Sequence, residues 1–454
     1  MADSGGRIVV LGGGSTGEAF AAALRRLDGE VPITLVEREL LGGECTYWAC
    51  MPSKTLLRPL EVLAAARRAP GAAEALNGQP DWERLLWWRD RVTDELDDSS
   101  HESWLADRGI DLVRGSGRVV RPGLLEVGER EVAYEKLVVA TGSSASAPPI
   151  DGLEGSGYWT NREATRTREL PRTLVVLGGG VVGCELAQFF ARLGTTVTIV
   201  QDIGHLLPRD HPDAGRLLQE ILEEEGIEVY VNTLTERVER TPDGFRLRLP
   251  GGEQLEAEQL LVATGRRPNA DGLGLEDAGV QIGKTGIEVD DRLQAAEDVW
   301  AIGDVTGIAL FTHMGKYQAR VAAINVAGGD ARADYRAVPA VAFTDPQVAS
   351  VGRTSGEGLV SSAWEVSAIS RSSTYERPKR PGFVSLFADP GRRILVGAVA
   401  VGPEAGEWIG QITLAIQAEV PVDVLRSTIQ PFPTFSEALF FAARDLPLEE
   451  PATT

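Results

Sequence analysis

Cysteine is scarce. Three in 454 residues are too few for a disulfide-stapled fold or a structural zinc site, and no metal is expected. Histidine is nearly as rare: His101, His205, His211 and His313 are the four, and none follows His313. No apolar run approaches the ~18 residues of a membrane span, and the start lacks the charged-then-apolar pattern of a secretion signal. The expectation is a cytoplasmic chain without a membrane partner. Only five of the 45 basic residues are lysine, a bias attributed to a GC-rich genome. Basic residues are outnumbered by 66 acidic ones, for a net charge of -21, so nucleic acid, a polyanion repelled at long range, is not an expected partner. What remains, 43% hydrophobic and 24% charged, is ordinary for a globular protein. At ~150 residues per domain the length suggests about three domains.

A strand from Arg7 to Leu11 runs into GGGSTG at Gly12 to Gly17. A helical stretch, Glu18 to Leu27, follows, and a second strand, ITLVE, closes at Glu37. Strand, glycine turn, helix, strand and an acidic residue about 20 positions on is the dinucleotide-binding βαβ pattern. Gly12 permits the tight turn, Gly14 lets backbone approach a pyrophosphate, and Gly17 lets helix pack on strand. The helix N-terminus offers N–H groups to phosphate, and Glu37 would accept hydrogen bonds from a ribose. A second copy lies at Leu174 to Val200, with glycines Gly178, Gly180 and Gly183, a helix from Cys184 to Leu193 and the strand TVTIV. Each turn is echoed downstream by a strand ending in ATG: KLVVATGS at 136–143, with Thr141 and Gly142, and LLVATGRRPN at 260–269, with Gly265. The chain thus reads as an internal repeat of whole domains.

Between Lys54 and Gly109 the pattern gives two helical stretches, the second carrying Trp82, Trp87, Trp88 and Trp104 as core or subunit-contact aromatics. Past Ala337 no glycine fingerprint recurs. Strands PAVAFT, GFVSLFAD and RRILVGAVAVG alternate with helices, and Asp389-Pro390-Gly391-Arg392 joins two of them as a hairpin.

Residues 42–54 read GGECTYWACMPSK. This segment resembles the redox-active disulfide motif of the class I flavin-dependent pyridine nucleotide–disulfide oxidoreductases, whose members include dihydrolipoamide dehydrogenase and glutathione reductase. The resemblance extends over nearly the whole chain through both glycine fingerprints, ATGRRPN, the AIGD of 301–304 and the FTDPQVASVG of 343–352. It implies an α/β fold of two Rossmann-like domains, for FAD and NAD(P), plus a C-terminal α+β dimerisation domain. The boundaries expected are 1–148 and 272–336 for the FAD domain, 149–271 for the nicotinamide domain and 337–454 for the interface domain of a two-fold homodimer. Cys45 is then the interchange thiol, and Cys50 its disulfide partner, the thiol nearer the flavin. A cysteine pair at a helix start stores two electrons, matching the hydride equivalent a flavin accepts, and a helix terminus and nearby cation stabilise a thiolate. Lys54 pairs with Glu185 beside the flavin, Asp304 bonds the ribityl chain, and Gly43 joins Gly12, Gly14, Gly17, Glu37, Thr141 and Gly142 as FAD contacts. Gly178, Gly180, Gly183, Gln201 and Gly265 hold the nicotinamide nucleotide. At the specificity position Gln201 is neither the acid of NAD users nor the arginine of NADP users, and Leu207 likewise is no arginine; NADH is favoured and NADPH is not excluded.

One departure limits what the resemblance implies. Its C-terminal His-Pro-Thr-x-Ser-Glu segment reads QPFPTFSE from Gln430, with Phe432 at the histidine position and Glu437 at the acidic one. A positioned acid–base group contributes roughly 10²–10⁴ in rate, and phenylalanine moves no proton. Reduction of the sulfur pair does not need that histidine; exchange with a dithiol does. Tyr47 and Trp48, between the cysteines, either narrow the approach to Cys45 or simply pack. Three readings follow. The chain is an FAD- and NAD(P)H-dependent enzyme acting on a small disulfide or dithiol; or a diaphorase passing electrons to quinones or dyes; or a redox-responsive flavoprotein without thiol turnover. Mercuric reductases and the larger thioredoxin reductases need further C-terminal cysteines, whereas the last here is Cys184.

Overall fold

The computed structural model describes residues 6–375, 380 and 382–448. They form two compact units. One comprises the chain up to Pro52, Trp87–Ser146 and Gly265–Asp334; the other comprises Ser53–Leu86, Ala147–Thr264 and the chain from Tyr335 on.

The first unit is built on a six-stranded sheet in the order Gln294–Ala296, Val299–Ala301, Lys136–Val139, Ile8–Leu11, Ile33–Glu37, Ile110–Arg114. All its pairings are parallel except the first. Every residue of Ile8–Leu11 and of Ile33–Glu37 is buried, as strands covered on both faces must be. Period-two alternation divides them: Ile8 and Val10 pack with Phe20, Leu24, Ala319 and Val326 of helices Ser15–Leu27 and Thr312–Val326. Val9 and Leu11 pack with Val119, Leu125 and Val132 of an antiparallel three-stranded ribbon. The two helices approach closely, since a Cβ on Gly315 would lie 2.1 Å from the Thr16 hydroxyl oxygen.

The second unit repeats the plan with a four-stranded parallel sheet, Glu228–Tyr230, Thr196–Val200, Thr173–Leu177, Gln259–Val262, around the helix Val181–Arg192. Its last segment forms a five-stranded antiparallel sheet in the order Pro339–Ala342, Gln347–Gly352, Ile394–Gly402, Phe383–Asp389, Val360–Glu365. Helices Ala405–Gln417 and Ser436–Arg444 cover it with Trp408, Ile412, Leu439 and Ala442. The hairpin expected at Asp389–Arg392 joins two of these strands. The fold class is therefore α/β with two Rossmann-like sheets and a C-terminal α+β sheet.

Two local expectations are corrected. The stretch from Lys54 to Gly109 holds three α-helices, Cys50–Arg68, Trp82–Val92 and Ser99–Ala106. The backbone between the last two turns left-handed at Asp94, Glu95 and Leu96, so Trp104 does not share a helix with the other tryptophans. Trp87 and Trp88 are exposed, not core.

Both glycine turns work by omission of a side chain. Gly12 has φ +110°, and a Cβ on Gly17 would sit 2.0 Å from the Gly12 carbonyl oxygen. In the repeat, Gly178 has φ +101° and a Cβ on Gly183 would lie 1.9 Å from the Gly178 oxygen. Gly17→Ala is expected to cost about 1–3 kcal/mol through overpacking, read as a lower urea midpoint at unchanged m-value. An unaltered midpoint would mean that the turn relaxes freely.

Candidate active site

The first unit gathers the sulfur pair. Cys45 lies in the short helix Gly43–Tyr47, and Cys50 opens the helix Cys50–Arg68, so two helix starts rather than one carry the cysteines. The Thr312 hydroxyl donates to Cys45 Sγ at 3.1 Å and lies 3.3 Å from Cys50 Sγ. A threonine hydroxyl has one proton, so when Cys45 accepts it, the Cys50 thiol is the donor to Thr312. Hydrogen bonding to Cys50 and burial push the Cys45 thiol far up, while Thr312 and the charge of Lys316 pull it down. Both cysteines are free thiols here. Tyr47 and Trp48 are buried, and their rings meet edge to face at 5.6 Å; they pack.

The glycine turn beside this pair has the shape a dinucleotide needs. Nothing within 3.9 Å would meet a Cβ on Gly14, the N-cap of helix Ser15–Leu27, and no side chain caps that helix. Gly43 approaches so near that its Cβ would lie 2.9 Å from Gly14 Cα. Glu37 is buried; Oε2 accepts from Gly13 N and Oε1 from Glu39 N, each at 2.7 Å. Across the sheet end, Thr141 and Gly142 are clasped by Asn269: Thr141 Oγ1 donates to the Asn269 carbonyl at 2.7 Å, and Asn269 N donates to Gly142 O at 2.9 Å. Asp304 Oδ2 accepts from Ser143 Oγ at 2.6 Å, and Arg266 Nε donates to the same hydroxyl at 2.8 Å. Burial raises the Asp304 carboxyl, with Ser143 and Arg266 opposing. Asp304 Oδ1 accepts no hydrogen bond from the described residues, so one half-buried acceptor is left for a ligand hydroxyl. A backbone cradle bare of side chains and a carboxylate with an unused oxygen fit FAD.

In the second unit, Lys54 Nζ lies 2.7 Å from Glu185 Oε2, a carboxylate 3% exposed. Its other oxygen accepts from Phe343 N at 2.9 Å, and the ammonium stands over the Phe343 ring at 4.9 Å. Gly178, Gly180 and Gly183 form the second turn; a Cβ on Gly180 would meet nothing within 4 Å. Gln201 repeats the Glu37 bond, its Oε1 accepting from Gly179 N at 2.7 Å. Its Nε2 makes no hydrogen bond to the described residues, which leaves a donor and fits a nicotinamide nucleotide's ribose. Gly265 has an open Cβ position and belongs to the first unit, where its carbonyl accepts from Ser146 N. Glu437 Oε2 accepts from Thr434 N at 3.3 Å, and Phe432 is 74% exposed.

Thr312, Lys316, Ser143 and Arg266 escaped the sequence reading. FTHMGK carries no spacing that announces a contact to residues some 265 positions away, although Arg266 sits inside the recognised ATGRRPN. Among the described residues no group of acidic, histidine or cysteine side chains gathers as for a metal, and no helix is long and apolar enough to cross a membrane.

Residues 6–329 match the family model of pyridine nucleotide-disulphide oxidoreductases, and 338–443 match that family's dimerisation domain. The chain is 37% identical to a mercuric reductase of Acidithiobacillus ferrooxidans over 95% of its own length and 81% of the relative. It is 35% identical to a dihydrolipoyl dehydrogenase of Thermus scotoductus over 97% of each. Among solved structures, the HOCl-induced flavoprotein disulfide reductase RclA of Escherichia coli superposes with a TM-score of 0.84 at 27% identity, over 96% of this chain and 99% of that one.

Removing the Lys54 ammonium strands a buried carboxylate. Lys54→Met is expected to destabilise by about 2 kcal/mol in urea unfolding, and Glu185→Gln in the same chain to recover more than half of that loss. Additive single and double variants would show that the pair is not coupled.

Proposed function

The chain belongs to the pyridine nucleotide-disulphide oxidoreductase family, which is FAD- and NAD(P)-dependent, and from that premise we propose that it is a disulfide reductase using Cys45 and Cys50 as its redox pair. The observation that carries this reading is the shared Thr312 hydroxyl, which holds both sulfurs at hydrogen-bond distance in one place. Gly12, Gly14, Gly17, Glu37, Gly43, Thr141, Gly142 and Asp304 would hold FAD; Gly178, Gly180, Gly183 and Gln201 would hold the nicotinamide nucleotide. When bound, FAD supplies two-electron exchange between a nicotinamide and a sulfur pair. The Cys45 thiolate attacks one sulfur of the substrate disulfide, forming a mixed disulfide, and the departing thiolate takes a proton. Cys50 then attacks Cys45 Sγ and releases the second substrate thiol, so a dithiol is oxidised as one disulfide is reduced. Lys54 and Glu185 orient each other, the buried carboxylate held by the Phe343 amide. The neutral Gln201, with no arginine at Leu207, favours NADH. The dimerisation-domain match supports a homodimer, which would present Phe432 and Glu437 to a partner subunit.

Phe432 favours a second activity, electron transfer to quinones or dyes, because that route needs no proton shuttle for thiols. The two activities separate cleanly. Cys45→Ser is expected to abolish NADH-dependent reduction of lipoamide and other small disulfides, already slow in the parent by roughly 10²-fold or more relative to a histidine-bearing member, while leaving quinone reduction within about twofold. Disulfide turnover that survives Cys45→Ser would overturn the assignment.

A further inference from the structure

The helix Thr312–Val326 begins at the sulfur pair, and its first side chain, Thr312, bonds both sulfurs. Side chains four apart on a helix share a face, one turn above the other, which places Lys316 on the face that Thr312 turns to the cysteines. The helix is held in this position by Gly315, buried against Thr16. Lys316 itself is exposed, and among the described residues it makes no hydrogen bond or ion pair. In a chain with a net charge of -21 and five lysines, an ammonium left without a carboxylate beside a thiol pair calls for a reason.

We propose that Lys316 is the cation that holds Cys45 as a thiolate for attack on the substrate disulfide, a positioning residue acting through space on the nucleophile. The proposal rests on the reading of Cys45 as the attacking thiol. Other charged and titratable groups near Cys45 are accounted for. The Glu44 carboxylate lies 3.6 Å from Arg266, the His313 ring is stacked on Phe311 at 5.1 Å, and the His101 ring, packed at Gly42, lies 2.6 Å from the Glu18 carboxylate. Cys50 raises the thiol by accepting its proton in a hydrogen bond and by its own negative charge when ionised, and burial adds to this. The Thr312 hydroxyl and the Lys316 charge act in the opposite sense. Thr312 is shared between two sulfurs and has one proton to give, so the unshared stabilising group is Lys316. In a chain with Phe432 where a histidine is expected, a fixed positive charge ionises the nucleophile without a proton acceptor across the interface.

The test is the pH profile of Cys45 alkylation. The full-length holoprotein is reduced with dithiothreitol, desalted anaerobically and treated with iodoacetamide, which converts the thiolate to a thioether with release of iodide. Modification of the Cys45 peptide is followed by mass spectrometry from about pH 6 to 9, the range in which free thiols ionise. Lys316→Met is expected to move the profile up by about one pH unit, about tenfold slower at neutral pH, with the urea midpoint unchanged. Lys316→Arg is expected to restore it, and Lys316→Glu to move it further up. Superimposable profiles for the parent and Lys316→Met, or a shift that arginine does not restore, would overturn the proposal. The assignment of Cys45 as the attacking thiol fails separately, through disulfide turnover that survives Cys45→Ser, whatever the alkylation profiles show.

Discussion

The structure depends on an approach of backbone to backbone that no side chain permits. At the end of Ile8–Leu11 the chain turns so tightly that Gly17 lies against the Gly12 carbonyl, and the helix Ser15–Leu27 begins at once over the strand it has left. The next consequence is the packing of Thr312–Val326 on that helix through Gly315 and Thr16, and the one after it is the position of Thr312 at the sulfurs. A single steric constraint in the first twenty residues thereby fixes a hydrogen bond to a residue 262 positions from Cys50. The repeat in the second unit reproduces the same closure at Gly178 and Gly183, down to the 2.7 Å bond from the middle glycine amide to the end of the second strand.

That bond also shows how the two copies have diverged. Glu37 offers acceptors only, both engaged by backbone amides yet with further lone pairs. Gln201 satisfies the same amide with its carbonyl oxygen and keeps its Nε2 donors, at no net charge. The first turn therefore repels an additional phosphate near its ribose position, whereas the second neither repels nor attracts one. The proposed preference for NADH in the second unit rests on the absence of an arginine rather than on the presence of an acid.

The glycine turns, the paired ATG strands and the cysteine motif were legible in the sequence because each is a local pattern whose physics is complete within about 30 residues. So were the fold class and the hairpin at Asp389–Arg392. The break between Val92 and Ser99 was not, since it depends on left-handed residues Asp94, Glu95 and Leu96, none of them a glycine. Nor were Thr312 and Ser143, whose hydrogen bonds come from tertiary contact alone: a hydroxyl residue near an element's start has many uses, and only the fold selects one. Lys54 and Glu185 came from resemblance, and the structure brings them to 2.7 Å; spacing by itself would not have paired residues 131 positions apart. Of the core-or-subunit-contact reading of the tryptophans, the core half fails for Trp87 and Trp88, because a large aromatic at helical spacing is compatible with either face.

Proton accounting gives Phe432 its significance. Thiol–disulfide exchange returns two protons to the substrate sulfurs for each disulfide broken, and a half-buried, protonated Cys45 must lose its own before it attacks. Where a histidine stands, one group performs both duties, accepting from the nucleophile and donating to the leaving thiolate. With phenylalanine the two duties separate. Ionisation of Cys45 becomes a matter of electrostatics inside its own unit, where burial and Cys50 oppose it and Thr312 and Lys316 favour it. Protonation of the leaving thiolate falls to water or to the substrate itself, so substrates whose departing thiol is a good leaving group, of low pKa, lose least from the substitution. On the function proposed above, activated disulfides would be turned over better than lipoamide, whose departing sulfur is an ordinary alkyl thiolate in need of a proton.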